Sequence, residues 1–140
     1  MSGVYCTFTV GGLRVGIDIA RVQEVLRDCQ VTPVPLAHES VLGLLNLRGQ
    51  IVTAIDARRR LGLRARGPEE QSAHVIVRCH AGAVSLVVDL EDEVVEVDER
   101  AREEVPETLS DPTRRLLVGI HQLDTGLLLV LDADRTLSAV

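Results

Sequence analysis

The stretch LLNLRGQIV, Leu44 to Val52, carries an apolar strand into an Arg-Gly pair and out again. A two-residue hairpin loop demands positive φ, which glycine at position 49 supplies without steric cost. The turn therefore accounts for Gly49. It makes no demand for an arginine at its tip or for the asparagine that opens the approach, so Arg48 and Asn46 need another explanation.

Working outward, VLGLLNL and QIVTAID are the two arms of this hairpin. Upstream, VTPVP is extended, because each proline disfavours the helical region for its predecessor. ARVQEVL, Ala20 to Leu26, places Val22, Val25 and Leu26 at helical spacing and predicts a turn or two of helix. At the start of the chain, Val4, Cys6, Phe8 and Val10 alternate with Tyr5, Thr7 and Thr9, the pattern of a half-buried strand. Gly11-Gly12 turns it back into LRVGIDI. Downstream, ARRRLGLRARGPEEQSA reads as a short helix followed by the longest flexible connector. HVIVRCH and AVSLVVDL then face each other across Ala81-Gly82. DEVVEVDE is a charged edge strand, RAREEVPETLSDPT a polar loop, and RLLVGIHQL with GLLLVLD a last hairpin over DTG. ADRTLSAV closes the sequence as a short helix or tail. Many short strands between turn signals predict an all-β barrel class.

The chain repeats itself. GLLNLRGQIVTAIDARRRL, Gly43 to Leu61, aligns without a gap on GIHQLDTGLLLVLDADRTL, Gly119 to Leu137, at an offset of 76 residues. Gly43/Gly119, Leu47/Leu123, Asp56/Asp132, Ala57/Ala133, Arg59/Arg135 and Leu61/Leu137 are identical. Asp18 lies over Asp89 at an offset of 71. The pattern predicts one domain, residues 1–140, made of two small barrels, with repeat halves of roughly 4–66 and 74–140 and a groove at their junction.

Composition narrows the function. The chain has 140 residues, 46% of them hydrophobic, enough for a sizeable core. Its net charge is −6, and Tyr5 and Phe8 are its only aromatic residues. An acidic surface without stacking rings argues against single-stranded nucleic acid. Cys6, Cys29 and Cys79 are widely spaced and read as small hydrophobes in a reducing compartment. No signal peptide or spanning segment is evident, which predicts a cytoplasmic protein.

No catalytic set emerges. The serines lack a nucleophile elbow, and His38, His74, His80 and His121 lack metal-ligand spacing. Cys79 and His80 are adjacent on a strand and so point to opposite faces. No metal and no cofactor is expected. Asp18, Asp56, Asp89 and Asp132 each follow an apolar strand, and their repetition suits strand ends and helix caps. Arg58, Arg59, Arg60, Arg64 and Arg66 form the one basic cluster, read as a solvated helix end and loop. The acidic run around Glu91 to Glu104 reads as a solvated edge that resists strand-to-strand aggregation.

With catalysis absent, a recognition surface remains. ESVLGLLNLRGQIVTAIDARRRLGL resembles the signature of the CheW family of chemosensory adaptors, Gly-x-x-Asn-x-Arg-Gly followed by an apolar strand and Asp. FTVGGLRVGIDIARVQEVL, VTPVP, GAVSLVVDLEDEVVEV and LVGIHQLDTGLLLVLDADRTL resemble the family's other segments, so the likeness covers essentially the whole chain. It implies a pair of intertwined five-stranded SH3-like barrels. It also implies an adaptor, not an enzyme, that links the cytoplasmic tip of a chemoreceptor to the regulatory domain of a CheA-type histidine kinase. The membrane would then be reached only through receptors. Carried over by motif, the receptor-contacting residues are Val22, Glu24, Gly43, Asn46, Leu47, Arg48 and Gly49. In that reading Val22 and Leu47 supply apolar area, and Gly43 lets another backbone approach. Glu24 and Arg48 pair with each other, or Arg48 reaches a receptor carboxylate. The kinase contact maps to no named residue. Thr53 stands where the family usually has proline, and Ala57 where it has leucine. Two alternatives stay open: a relative that binds receptor but not kinase, and a small nucleic-acid-binding barrel that uses Arg58 to Arg66.

Overall fold

The computed structural model describes residues 1–67, 69–80 and 82–138. Ten strands form: β1 (Ser2–Val10), β2 (Leu13–Asp18), β3 (Val22–Leu26), β4 (Val41–Leu47), β5 (Gln50–Asp56), β6 (Ala73–Cys79), β7 (Gly82–Val88), β8 (Leu90–Asp98), β9 (Leu117–Leu123) and β10 (Gly126–Leu131). Three short helices, α1 (Ala57–Arg60), α2 (Thr113–Leu116) and α3 (Ala133–Leu137), and two 3-10 turns complete the elements among the described residues. The strands make two five-stranded sheets, ordered β8-β1-β2-β10-β9 and β3-β6-β7-β5-β4.

The two sheets have matching plans. In each, an antiparallel hairpin (β1-β2 or β6-β7) joins another hairpin (β10-β9 or β5-β4) through one parallel pair. β2 runs parallel to β10, with Val15 opposite Leu129, and β5 runs parallel to β7, with Ala54 opposite Ser85. The architecture is the expected all-β pair of intertwined five-stranded SH3-like barrels. The hairpin β1-β2 is completed by strands from far along the chain, so the first sheet draws on both ends of the sequence, whereas the second is built from residues 22–88.

The largest core cluster lies where the sheets meet. Phe8, Val15 and Ile17 of one sheet join Ile55, Val75 and Leu86 of the other. Alternate residues of the same strands feed two smaller clusters. Leu45, Leu47, Val52, Ala54, Ile76 and Val87 fill one, and Tyr5, Leu128 and Val130 the other. Away from their tips the inner strands are thus covered on both faces, which is why Val75 to Val77 and Leu128 to Leu131 read as unbroken apolar runs. The same packing corrects the expectation for β1: Tyr5 and Thr7 are buried along with Phe8 and Val10.

Val22 to Leu26, expected as helix, is strand β3, antiparallel to β6. A bulge between Val22 and Glu24 inserts Gln23, so the apolar positions fall out of period two and mimic helical spacing. The helical part is a single 3-10 turn, Ile19–Arg21, capped by Asp18. The last hairpin begins at Leu117 and not at Arg115, because residues 113–116 form α2. The polar loop after β8 includes the 3-10 turn Glu99–Ala101 and a bridge between Glu103 and Ile120. Asp56 and Asp132 cap α1 and α3, as their repetition suggested. Ala81 of the expected Ala81-Gly82 turn, and Ala139 and Val140 of the expected tail, lie outside the described residues.

Candidate recognition site

At the tip of β4-β5 a two-residue loop joins Leu47 to Gln50, which pair across the ladder. Gly49 has φ 88°, and Arg48 itself sits at φ 51°. Positive φ at both loop positions is the signature of the type I′ hairpin, whose twist matches its strands. Glycine or asparagine usually fills the first position, and a long side chain there is strained. The asparagine finds its explanation here: Asn46 Oδ1 accepts a hydrogen bond from the Gly49 N–H at 2.9 Å, which fixes the loop.

Arg48 Nη2 donates to Glu24 Oε2 in β3. The strands β3 and β4 are the two outer strands of their sheet. This ion pair therefore joins opposite edges of one curled sheet. Glu24 also accepts from Gln23 Nε2 at 3.3 Å. The Arg48 side chain remains 65% exposed. A strained, outward-facing arginine held by one carboxylate is a charged fork fixed in direction, suited to bidentate recognition of a carboxylate.

The other motif residues divide by side of the strand. Leu47 points inward and is only 8% exposed, packed in the smaller cluster of its sheet. It is thus a poor source of contact area, contrary to expectation. Period two decides this: Gly43, Leu45 and Leu47 face in, so Leu44 and Asn46 face out. Across the ladder from Asn46 stands Ile51, 69% exposed. The motif overlooks Ile51, yet strand alternation was enough to find it. Gly43 does accommodate a second backbone, but that backbone is its own: a Cβ would overlap the Thr32 carbonyl, where residues 32 and 44 exchange hydrogen bonds. Val22, opposite Val77, is half-buried against the main core. The tip thus gathers Glu24, Asn46, Arg48 and Gly49, with Ile51 beside them. A cleft of about 320 Å³ lined by Cys29, Gln30, Thr32 and Asn46 adjoins it.

The basic cluster is not the solvated patch expected. Arg58 donates to Asp89 at 2.9 and 2.8 Å and to Glu70 at 2.9 Å, and Arg66 donates to Asp89 at 2.6 Å. The side chains of Arg58 and Arg66 are only 8% and 9% exposed. Burial alone would raise the Asp89 pKa, but the two arginines outweigh it and hold the carboxyl below its ordinary range. Two of the five arginines required by the nucleic-acid reading are therefore spent on carboxylates, and the connector is tied down by them. Among the described residues no group of three or more His, Cys, Asp or Glu could hold a metal ion. Among the described residues no helix is long and apolar enough to cross a membrane.

Known proteins share this fold. A family model described as the CheW-like domain matches residues 4–140. The chemotaxis protein CheW of Rhizobium meliloti is 28% identical over 127 residues, which cover 91% of this chain and 82% of that protein. The CheW of Bacillus subtilis is 28% identical over 130 residues, 93% of this chain and 83% of that one. The crystal structure of the scaffolding protein TtCheW from Thermoanaerobacter tengcongensis has a TM-score of 0.88 and 28% identity, over 99% of this chain and 94% of that one. A match along nearly the whole chain, on a fold that superposes as closely, means that this chain belongs to the CheW-like domain family of non-enzymatic scaffold adaptors.

Proposed function

We propose that the protein couples the cytoplasmic tip of a chemoreceptor to the regulatory domain of a CheA-type histidine kinase, and that the β4-β5 tip is its receptor contact. The observation that carries this reading is Arg48, an exposed arginine held at positive φ by an ion pair with Glu24. Strain of that kind is retained where the side chain has a task. Arg48, Glu24, Asn46 and Gly49 form the polar part of the contact, and Val22 lies beside it. Ile51 supplies apolar area to an amphipathic receptor helix. Leu47 and Gly43 act from within by setting the path of β4. The protein works in the cytoplasm and reaches the membrane only through the receptor.

Calorimetric titration against a receptor cytoplasmic tip and, separately, against the kinase regulatory domain tests this function. Both are expected to bind, and Arg48→Ala is expected to weaken the receptor at least tenfold while leaving the fold intact. Unchanged receptor affinity in that variant would remove Arg48 from the contact. Binding of the receptor alone would favour an adaptor that does not engage the kinase, in line with Thr53 and Ala57 replacing the family's usual residues.

A further inference from the structure

A second charged surface lies on the three short helices. Arg60 of α1 donates through Nε to the Thr136 carbonyl at 2.8 Å and through Nη2 to the Arg135 carbonyl at 2.7 Å. Arg135 of α3 donates through Nη1 to the carbonyl of Arg115, in α2, at 3.4 Å. Three arginines distant in sequence are thereby collected in one place. The internal repeat explains the meeting: residues 135 and 136 are the repeat equivalents of 59 and 60, so α1 touches its own counterpart.

The acceptors in these contacts are neutral carbonyls, which fix the geometry without cancelling the charge. One carboxylate reaches the group, Asp132, 3.7 Å from Arg135 Nε. Among the described residues, Arg60, Arg114 and Arg115 form no ion pair with a carboxylate. Burial and, after it, the charge of Arg115 hold the Arg60 guanidinium below its ordinary range. Arg114, Arg115 and Arg135 are exposed. This positive face stands on a chain whose net charge is −6.

The geometry points to the α1-α2-α3 face as a docking surface for an acidic segment of a protein partner. Several guanidinium forks spread over neighbouring helices match carboxylates spaced along a segment, each able to accept two parallel hydrogen bonds. Single-stranded nucleic acid fits poorly, because the face offers no ring on which a base would stack. This inference uses elements other than the β4-β5 tip and does not rest on the receptor reading.

The test uses the full chain and a fluorescein-labelled twelve-residue peptide of Glu and Asp, followed by anisotropy at low and at physiological salt. The peptide is expected to bind, to weaken as salt rises, and to lose at least tenfold in affinity in the double variant Arg114→Glu, Arg115→Glu. Arg48→Ala is expected to bind it normally, which separates this face from the tip. Thermal unfolding checks the fold of the double variant. If charge reversal lowers its Tm, Arg114→Ser with Arg115→Ser replaces it. Equal peptide affinity in wild type and variant would overturn the proposal, as would equally tight binding of a DNA duplex of matched charge. A low-salt dimer in sedimentation, abolished by the same substitutions, would overturn it in favour of a second copy of this chain.

Discussion

Arg48 pays a conformational cost that a turn alone has no reason to bear. A non-glycine residue in the left-handed region is disfavoured by about 1–2 kcal/mol, whereas Asn-Gly is among the most favoured pairs for this loop. The exposed ion pair with Glu24 returns at most about 1 kcal/mol. Arg48→Asn is therefore expected to leave stability unchanged or raise it by up to about 1 kcal/mol, while receptor affinity falls at least tenfold. Chemical denaturation beside calorimetry checks both halves of the statement, and a clear loss of stability would refute the strain argument. Gly49 was legible from the sequence because a glycine in a two-residue loop has one evident use. The partner of Arg48 was legible only as one of two options, since its carboxylate lies 24 residues upstream on another strand.

At the scale of elements, the hairpins were readable because Gly11-Gly12, Arg48-Gly49 and the DTG stretch punctuate alternating strands. β3 was not, because one inserted residue shifted its period. The connector after α1 was misread for a different reason. Its composition is that of a solvated loop, but Asp89, which draws Arg58 and Arg66 inward, is 31 and 23 residues away from them. Removing one member of such a cluster strands a largely buried charge, which costs about 3 kcal/mol. Arg58→Ala is expected to destabilise by about that amount in urea titrations, with little dependence on salt. An effect that disappears in 0.5 M salt, about three times physiological strength, would place the cluster on the surface.

The same elements set the response to acid. His74 is buried, with Nδ1 2.8 Å from the Ser85 hydroxyl. Burial first, and then the charge of Arg66, lower its pKa below the ordinary 6.5. A histidine kept neutral by the fold takes up a proton more readily when unfolded, so its contribution is complete above about pH 6.5 and declines below it. Asp89, also lowered, contributes fully above its unfolded value near 4 and loses that contribution as pH falls through its folded value. Stability is therefore expected to fall in two stages, gently below pH 6.5 and steeply below pH 4. Urea midpoints between pH 3 and 8 follow both stages. His74→Gln, which keeps a hydrogen-bonding side chain, is expected to remove the first stage and leave the second.

For the whole molecule, strand alternation told which segments would be strands but not which would be neighbours. The parallel pairing of Val15 with Leu129 joins segments 114 residues apart, and no local pattern announces it. We take residues 4–66 and 74–140 as the repeat halves. On that division each sheet contains strands from both halves, and neither half holds a complete sheet. Fragments 1–67 and 69–140 are expected to show no cooperative unfolding when alone, and to recover it when mixed in equal amounts. Circular dichroism melts decide the point, and a cooperative melt from either fragment alone would show that the exchange is not required.

The exchange of strands also bears on inheritance. A protein made of two adjoining copies can lose one, duplicate one or trade one with a relative, and the remaining copy still folds. Here the two repeat halves, on the division taken above, share both sheets, and those routes are closed. A substitution in one half is tested at once in sheets that belong partly to the other. The halves are free to drift apart in sequence, as Arg48 and its counterpart Asp124 have done, but only in step.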